Sequence, residues 1–240
     1  MKIKAFILTF NEADIIAFTV KHYQQFCSEI HIYDNYSTDD TRDICTKMGC
    51  IVHMFGQEGV LDDREYLKVK NNCWKEHRDA DLVVVCDADE ILYDCYGLHP
   101  KNDSVFLKHI TLVKCKGYNL YSDCPPIDSW EEIKLGYSEP LYDKVLMFNP
   151  RHITDINYGY GAHGARPVVN NNNPLISKGD YRLHHMRYVG GVDRMIARYN
   201  TYKTRMCEFN KLNGLGFQYL KSDNDIRNEW EEVKQKSILI

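Results

Sequence analysis

The sequence has no apolar run approaching the roughly 20 residues that a membrane span requires, no Cys-x-x-Cys pair, no block of like charge, no internal repeat and no linker rich in glycine, proline or serine. Each absence closes a class. Without a spanning run, contact with a membrane is expected to be peripheral only. The amino-terminal stretch "MKIKAFILTF" is apolar only from Ala5 to Phe10 before Asn11 and Glu12 intervene, too short for a secretory leader. Thirty Lys and Arg against 34 Asp and Glu give a formal charge of -4, so an electrostatic grip on nucleic acid is not expected. Nine scattered cysteines, odd in number and unpaired in spacing, fit a reduced, cytoplasmic setting better than a disulfide framework. Nor is there a glycine-rich, basic phosphate loop after the first apolar run: "TFNEADII" has neither glycine nor arginine, which argues against a nucleotidyltransferase.

What is present is the composition of a folded globular chain: 240 residues, 44% hydrophobic and 27% charged, enough for one large domain. Hydrophobic periodicity organises its first part as alternating strands and helices. Lys4 to Phe10, Ile30 to Tyr33, Ile51 to Phe55 and Leu82 to Cys86 read as strands. Residues 11–26, Thr41 to Met48 and Asp62 to Arg78 read as helices, the second stopped by Gly49. That alternation predicts an α/β fold with a mainly parallel sheet flanked by helices. Further on, Val105 to Lys116, Tyr118 to Tyr121, Lys144 to Asn149 and Tyr181 to Met186 read as strands. Val192, Met195, Ile196 and Tyr199 share one face of a helix, and "DNDIRNEWEEVKQKSILI" reads as a last helix, docked or loose.

The segment "DLVVVCDADEIL" poses the chemical question, because a buried strand exits into Asp87, Asp89 and Glu90. In open α/β sheets ligands sit beyond the carboxyl ends of the strands. Residues two apart on an extended chain share a face, so Asp87 and Asp89 point into one crevice with only the small Ala88 between them. Their repulsion is relieved economically by a divalent cation. The plainer alternative is that these acids cap the element that follows.

Three motifs in order, "ILTFNEADII", "IYDNYSTDDT" and "VVVCDADEIL", resemble the nucleotide-sugar half of A-type, family-2-like glycosyltransferases. The resemblance covers Lys4 to about Leu92 and weakens afterwards. It implies a single glycosyltransferase domain over residues 1–220, with a nucleotide-sugar half (1–92), an acceptor half (93–220) and a helical tail (221–240). It also implies a hexosyltransferase that moves a sugar from a nucleotide-diphosphate sugar, a UDP-sugar by family habit, to the hydroxyl of a glycan or other acceptor, with inversion. Thr9, Asn11 and Glu12 would then face the nucleotide, and Asp34 would accept hydrogen bonds from uracil or ribose. Ser37 to Asp39 have the alternative of forming a turn and capping the helix through Thr41. Arg64 matches a basic position near the diphosphate, with pairing to Asp62 or Glu65 as its alternative.

In that family the Asp-x-Asp motif holds Mn²⁺ or Mg²⁺, suited to oxygen ligands. Asp89 would ligate directly, Asp87 would reach the metal or the ribose, and Glu90 would brace the loop. His184 and His185 fall on opposite faces of a strand, so one alone can look into the crevice, and the resemblance favours His185 as the remaining metal ligand. Lys144 and His163 correspond to positions that approach phosphate or acceptor. Inverting transfer also needs a base for the acceptor hydroxyl. The loop "PPIDSWEE" offers Asp128, Glu131 and Glu132 around Trp130, an aromatic that can stack on a sugar; Asp128 is the first choice and Glu131 the second, with Glu139, Asp143 and Asp180 left open. A noncatalytic nucleotide-sugar or glycan-binding module of the same fold is the alternative function.

Overall fold

The computed structural model describes residues 1–94, 107–170 and 172–240. Among the described residues its centre is a 10-stranded sheet. The first four strands, β1 (Ile3–Thr9), β2 (Glu29–Asp34), β3 (Ile51–Met54) and β4 (Leu82–Asp87), pair in parallel, with Thr9 beside Asp34 and Leu8 beside Asp87. Their carboxyl ends therefore lie level along one rim. Every residue of β1 is buried, as a parallel strand covered on both faces requires. Ile3, Ala5 and Ile7 join the core beneath helices α1 (Ile16–Gln24) and α2 (Thr41–Lys47), where Tyr23, Ile32 and Val84 also pack. Phe6 points the other way, to Trp74, Val83 and Val85 on the side of helix α3 (Asp63–Asn72). The expected α/β class is observed.

Beyond β4 the sheet becomes mixed. β8 (Val145–Phe148) runs antiparallel to β4 and to β6 (Leu112–Ser122), and β6 carries β7 (Leu135–Ser138) on its other side. β11 (Ile176–Val189) pairs in parallel with β6 and antiparallel with β5 (Glu90–Asp94). The small ribbon of β9 (Ile153–Asp155) and β10 (Val168–Val169) stands apart. Two expectations are corrected. The strands read over Val105–Lys116 and Tyr118–Tyr121 are one strand, Leu112–Ser122, across Gly117; residues 107–111 of that reading are not strand, and residues 105–106 lie outside the described residues. The helix read over Asp62–Arg78 ends at Asn72, and a separate 3-10 turn covers Lys75–His77.

Three helices complete the chain: α4 (Val192–Arg205), α5 (Glu208–Leu212) and α6 (Asp223–Lys236). Residues 221–240 are docked: Ile226, Trp230 and Val233 are buried with Tyr121, Tyr188 and Met195, and β12 (Ile238–Leu239) pairs with β7. A capping box starts α6, with the Ser222 hydroxyl accepting from Asp225 N–H and the Asp225 carboxylate accepting from Ser222. Ser222→Ala is expected to lower stability by about 1 kcal/mol, read from the midpoint of urea unfolding. An unchanged midpoint would mean that the packed face of α6 alone sets its start. No helix among the described residues is long and apolar enough to cross a membrane, and the eight described cysteines are free.

Candidate active site

A cavity of about 330 Å³ opens at the carboxyl ends of β1 and β4. Leu8, Thr9, Asp87, Ala88, Asp89 and Glu90 form its floor. The wall opposite comes from residues far along the chain: Tyr142, Lys144, His163, His185, Arg187 and Arg198. Of the residues singled out in the sequence, Thr9, Glu12, Asp87, Asp89, Glu90, Lys144, His163 and His185 line this cavity.

The carboxylates here are paired with cations that the fold supplies. Asp87 Oδ2 accepts from Lys70 Nζ at 2.7 Å, with Lys70 projecting from α3. Burial raises the Asp87 carboxyl above its usual range, and Lys70 opposes that rise. Asp89 Oδ2 accepts from Arg198 Nη1 at 3.0 Å and lies 3.5 Å from His185 Nε2. Burial disfavours its charge, yet Arg198 and His185 outweigh it and hold the Asp89 carboxyl well below the ordinary range. Glu90 accepts from Lys144 and from the Asp87 N–H, so it braces the turn from beneath. Burial resists the Glu90 charge as well, but Lys144 and Lys70 bring its carboxyl down to about 2. The repulsion between Asp87 and Asp89 expected from the sequence is thus relieved in this structure by Lys70 and Arg198.

Glu12 organises the arginines. Its two oxygens accept from Arg194 Nη2 at 3.1 Å and Arg198 Nη2 at 2.7 Å, so Arg198 bridges Glu12 and Asp89. Burial pushes the Glu12 carboxyl up to about 7 despite those arginines. No short-range pattern reveals this link, which joins the end of β1 to α4. Arg198, Lys70 and Arg187 are cavity residues that sequence reasoning missed, because on a helix or strand an isolated Lys or Arg reads as a solvated face.

His185 and His184 occupy opposite faces of β11. His184 sits among Tyr93 and Tyr118 away from the cavity, and burial lowers its imidazole to about 4. His185 faces in. Its Nδ1 is 2.8 Å from Asn119 Oδ1, and Asn119 Nδ2 donates to the Tyr137 hydroxyl at 2.9 Å. A carboxamide oxygen only accepts, so His185 donates from Nδ1 to Asn119, and its Nε2 faces Asp89. The Tyr142 ring lies on His185 with centroids 4.2 Å apart. That approach explains Gly117, where a Cβ would come within 2.5 Å of the Tyr142 backbone. His163 is held by Leu141 O at 3.2 Å, and burial lowers it to about 4.

Other expectations are redirected. Asp34 is fully buried, and its carboxylate accepts from Ser37 N–H at 2.7 Å and Ser37 Oγ at 2.5 Å, so it closes the turn and does not line the cavity. Asp39 accepts from Thr41 N–H at the start of α2, the capping alternative. Asn11, at positive φ, hydrogen-bonds Thr38 and lines a separate hollow with Asp14, Asp39 and Arg194. Arg64 folds onto Asp62 at 2.5 Å and over the Phe209 ring, outside the cavity. The proposed bases are also displaced. Asp128 is exposed, and Glu131 accepts from the Tyr93 hydroxyl at 3.2 Å, neither lining the cavity. Trp130 is buried and donates to Thr19 Oγ1 at 3.2 Å, so it presents no face to a sugar.

The cavity suits a polar ligand. Among the described residues the buried Thr9 Oγ1 has no hydrogen-bond partner, and leaving such a group unmet is costly unless a ligand or water meets it. Asp89 and His185 together offer oxygen and imidazole donors that accept Mn²⁺.

No family model and no curated protein matches the chain. Among solved structures it is similar to glucosyl-3-phosphoglycerate synthase from Mycobacterium tuberculosis in complex with Mn²⁺, uridine diphosphate and glucosyl-3-phosphoglycerate, with 21% identity over 48% of this chain and 44% of that one and a TM-score of 0.31. It is similar to mannosyl-3-phosphoglycerate synthase from Rubrobacter xylanophilus, with 16% identity, 49% and 40% coverage and a TM-score of 0.33. A mycobacterial protein gives 18% identity, 49% and 41% coverage and a TM-score of 0.35. The chain therefore spans less than half the length of each of these structures.

Proposed function

We propose that this chain is a divalent-metal-dependent glycosyltransferase that moves a sugar from a nucleotide-diphosphate sugar, a UDP-sugar first among them, to an acceptor hydroxyl with inversion. One observation carries the reading: Asp87, Asp89 and His185 meet Thr9, Lys70, Lys144 and Arg198 in one cavity at the carboxyl ends of β1 and β4, where α/β sheets bind ligands. Asp89 and His185 would hold Mn²⁺ or Mg²⁺, with Asp87 beside them. When bound, that ion neutralises charge on the diphosphate as the sugar bond breaks.

The chain's own groups serve the same end. Lys70 and Lys144 are fixed ammonium groups whose carboxylate partners keep them in place before any donor arrives, so little reorganisation is needed to meet phosphate oxygens. Glu12 holds Arg198 at the mouth of the cavity, where its guanidinium can pass from Asp89 to a phosphate. Thr9 Oγ1 is available to a ribose or nucleobase. Tyr142, lying on His185, covers one face of its imidazole. The acceptor base belongs among the carboxylates of the cavity itself; Asp63 lines it, and burial raises its carboxyl toward the range of a base.

A specific observation favours a second reading, a noncatalytic nucleotide-sugar or glycan-binding module: Asp87 and Asp89 are already ion-paired within the protein. The two readings part in a single experiment. Metal-free protein is given Mn²⁺ and a panel of nucleotide sugars, and both the melting temperature and released nucleoside diphosphate are followed. The true donor at a hundred times its Kd should add about 2.7 kcal/mol of apparent stability, and EDTA should remove both that gain and the release. Stabilisation without release selects the binding module, and no response to any donor overturns both.

A further inference from the structure

The amino ends of β1 and β2 carry a second group of ligating side chains that the cavity does not use. Lys4 lies five residues before Thr9 on β1, about 16 Å away by strand rise. Glu29 is opposite Lys4 in the parallel register. His31 follows on the same face of β2, since residues two apart share a face, and stacks on Phe6 with centroids 4.9 Å apart. The 3-10 turn Lys75–His77 brings His77 over the same Phe6 ring. Glu29, His31 and His77 thereby place one ligand atom each within 4.8 Å of one another.

The atoms that converge are the ones a metal needs. His31 Nε2 is 2.6 Å from Glu29 Oε1, and His77 Nδ1 is 4.0 Å from that oxygen. In a tetrahedral zinc site with bonds near 2.0–2.2 Å, ligand atoms lie about 3.3 Å apart, between those two separations, so small side-chain rotations suffice. A cation already occupies the place. Lys4 Nζ lies 2.9 Å from His77 Nδ1, 3.1 Å from Glu29 Oε1 and 3.5 Å from Asp79 Oδ1, with the lysine side chain only 6% exposed. An ammonium can only donate, so His77 must direct a lone pair at it. His31 is backed by His53, whose Nε2 is 3.0 Å from His31 Nδ1. An imidazole in that outer position donates or accepts as its tautomer requires, which lets His31 present Nε2 as a free base.

We propose that this cluster is a second metal site, which takes a divalent transition ion of the zinc class through His31 Nε2, His77 Nδ1 and a Glu29 oxygen. Asp79 or water completes the coordination, and the Lys4 ammonium is displaced toward solvent. Two imidazoles and a carboxylate select zinc over magnesium or calcium, which prefer all-oxygen shells. The bound ion ties β2 to the turn after α3 at the end of the sheet opposite the cavity, and its role there is to brace the fold. The proposal does not depend on the glycosyltransferase reading.

The test uses the whole chain with Asp89→Ala, which removes a ligand from the cavity, so that a remaining equivalent of metal reports on the amino end. Zn²⁺ binding by calorimetry, the visible absorption of Co²⁺ and the melting temperature are followed. One equivalent of Zn²⁺ is expected, with a raised melting temperature that a chelator reverses. Lys4→Met should bind at least tenfold more tightly, because no ammonium must leave. His77→Gln and Glu29→Gln, both folded by circular dichroism, should lose the equivalent. Absence of binding in both the parent and its Lys4→Met derivative overturns the site, as does binding that survives both His77→Gln and Glu29→Gln.

Discussion

Asp89→Ala is expected to lower kcat for sugar transfer about a thousandfold, the scale of losing a principal electrostatic contact to the reacting group, and to abolish the stabilisation that Mn²⁺ adds. The fold should tolerate the change, since Arg198 keeps its 2.7 Å contact with Glu12. Asp89 has a second employment, however, as the partner of Arg198 at 3.0 Å, so lost activity alone would not separate ligation from positioning. Arg198→Met separates them. If Asp89 is a metal ligand, removing the guanidinium frees its carboxylate and the Mn²⁺-dependent rise in melting temperature persists. If Asp89 only anchors Arg198, the two variants behave alike toward metal. A Mn²⁺ response unchanged in Asp89→Ala would remove the metal from this cavity altogether.

The parts of the protein that were legible in the sequence are those governed by local rules. The short apolar runs within Lys4 to Phe10 and Leu82 to Cys86 announced buried strands, and the α/β class follows from their alternation with helical spacing. The separation of His184 from His185 needed only the period of a strand. What escaped was set by contacts across long stretches of chain. Asp87 meets Lys70 because β4 ends level with β1 under α3, and Asp89 meets Arg198 across 109 positions. The resemblance marked Asp34 as a nucleotide contact, yet Ser37 takes its carboxylate. The "PPIDSWEE" segment misled for a related reason. Acids around a tryptophan read as a sugar-binding loop, whereas a capping box between Ser129 and Glu132 shapes a 3-10 turn that drives Trp130 inward against Phe18 and Thr19.

Breaking the Glu90–Lys144 pair should be the most destabilising single change at the site. The two side chains are 3% and 4% exposed, and Lys144→Met would leave the Glu90 carboxylate buried with the Asp87 N–H, Lys70 and His185 but no directly paired cation to offset it. Removing one partner of such a pair costs about 3–5 kcal/mol, which in a chain of this length lowers the melting temperature by about 10 °C. The double variant Glu90→Gln/Lys144→Met leaves no buried charge behind and should recover most of the loss, giving a coupling of about 2 kcal/mol in the cycle. A single Lys144→Met costing under about 1 kcal/mol would show that water or Lys70 already satisfies Glu90. The recovered double variant then isolates the other role of Lys144. It is folded but lacks one cavity ammonium, so nucleotide-sugar binding should weaken about tenfold or more if that group meets phosphate. Unweakened binding would assign Lys144 to the scaffold, bracing Glu90 beneath the Asp87–Asp89 turn.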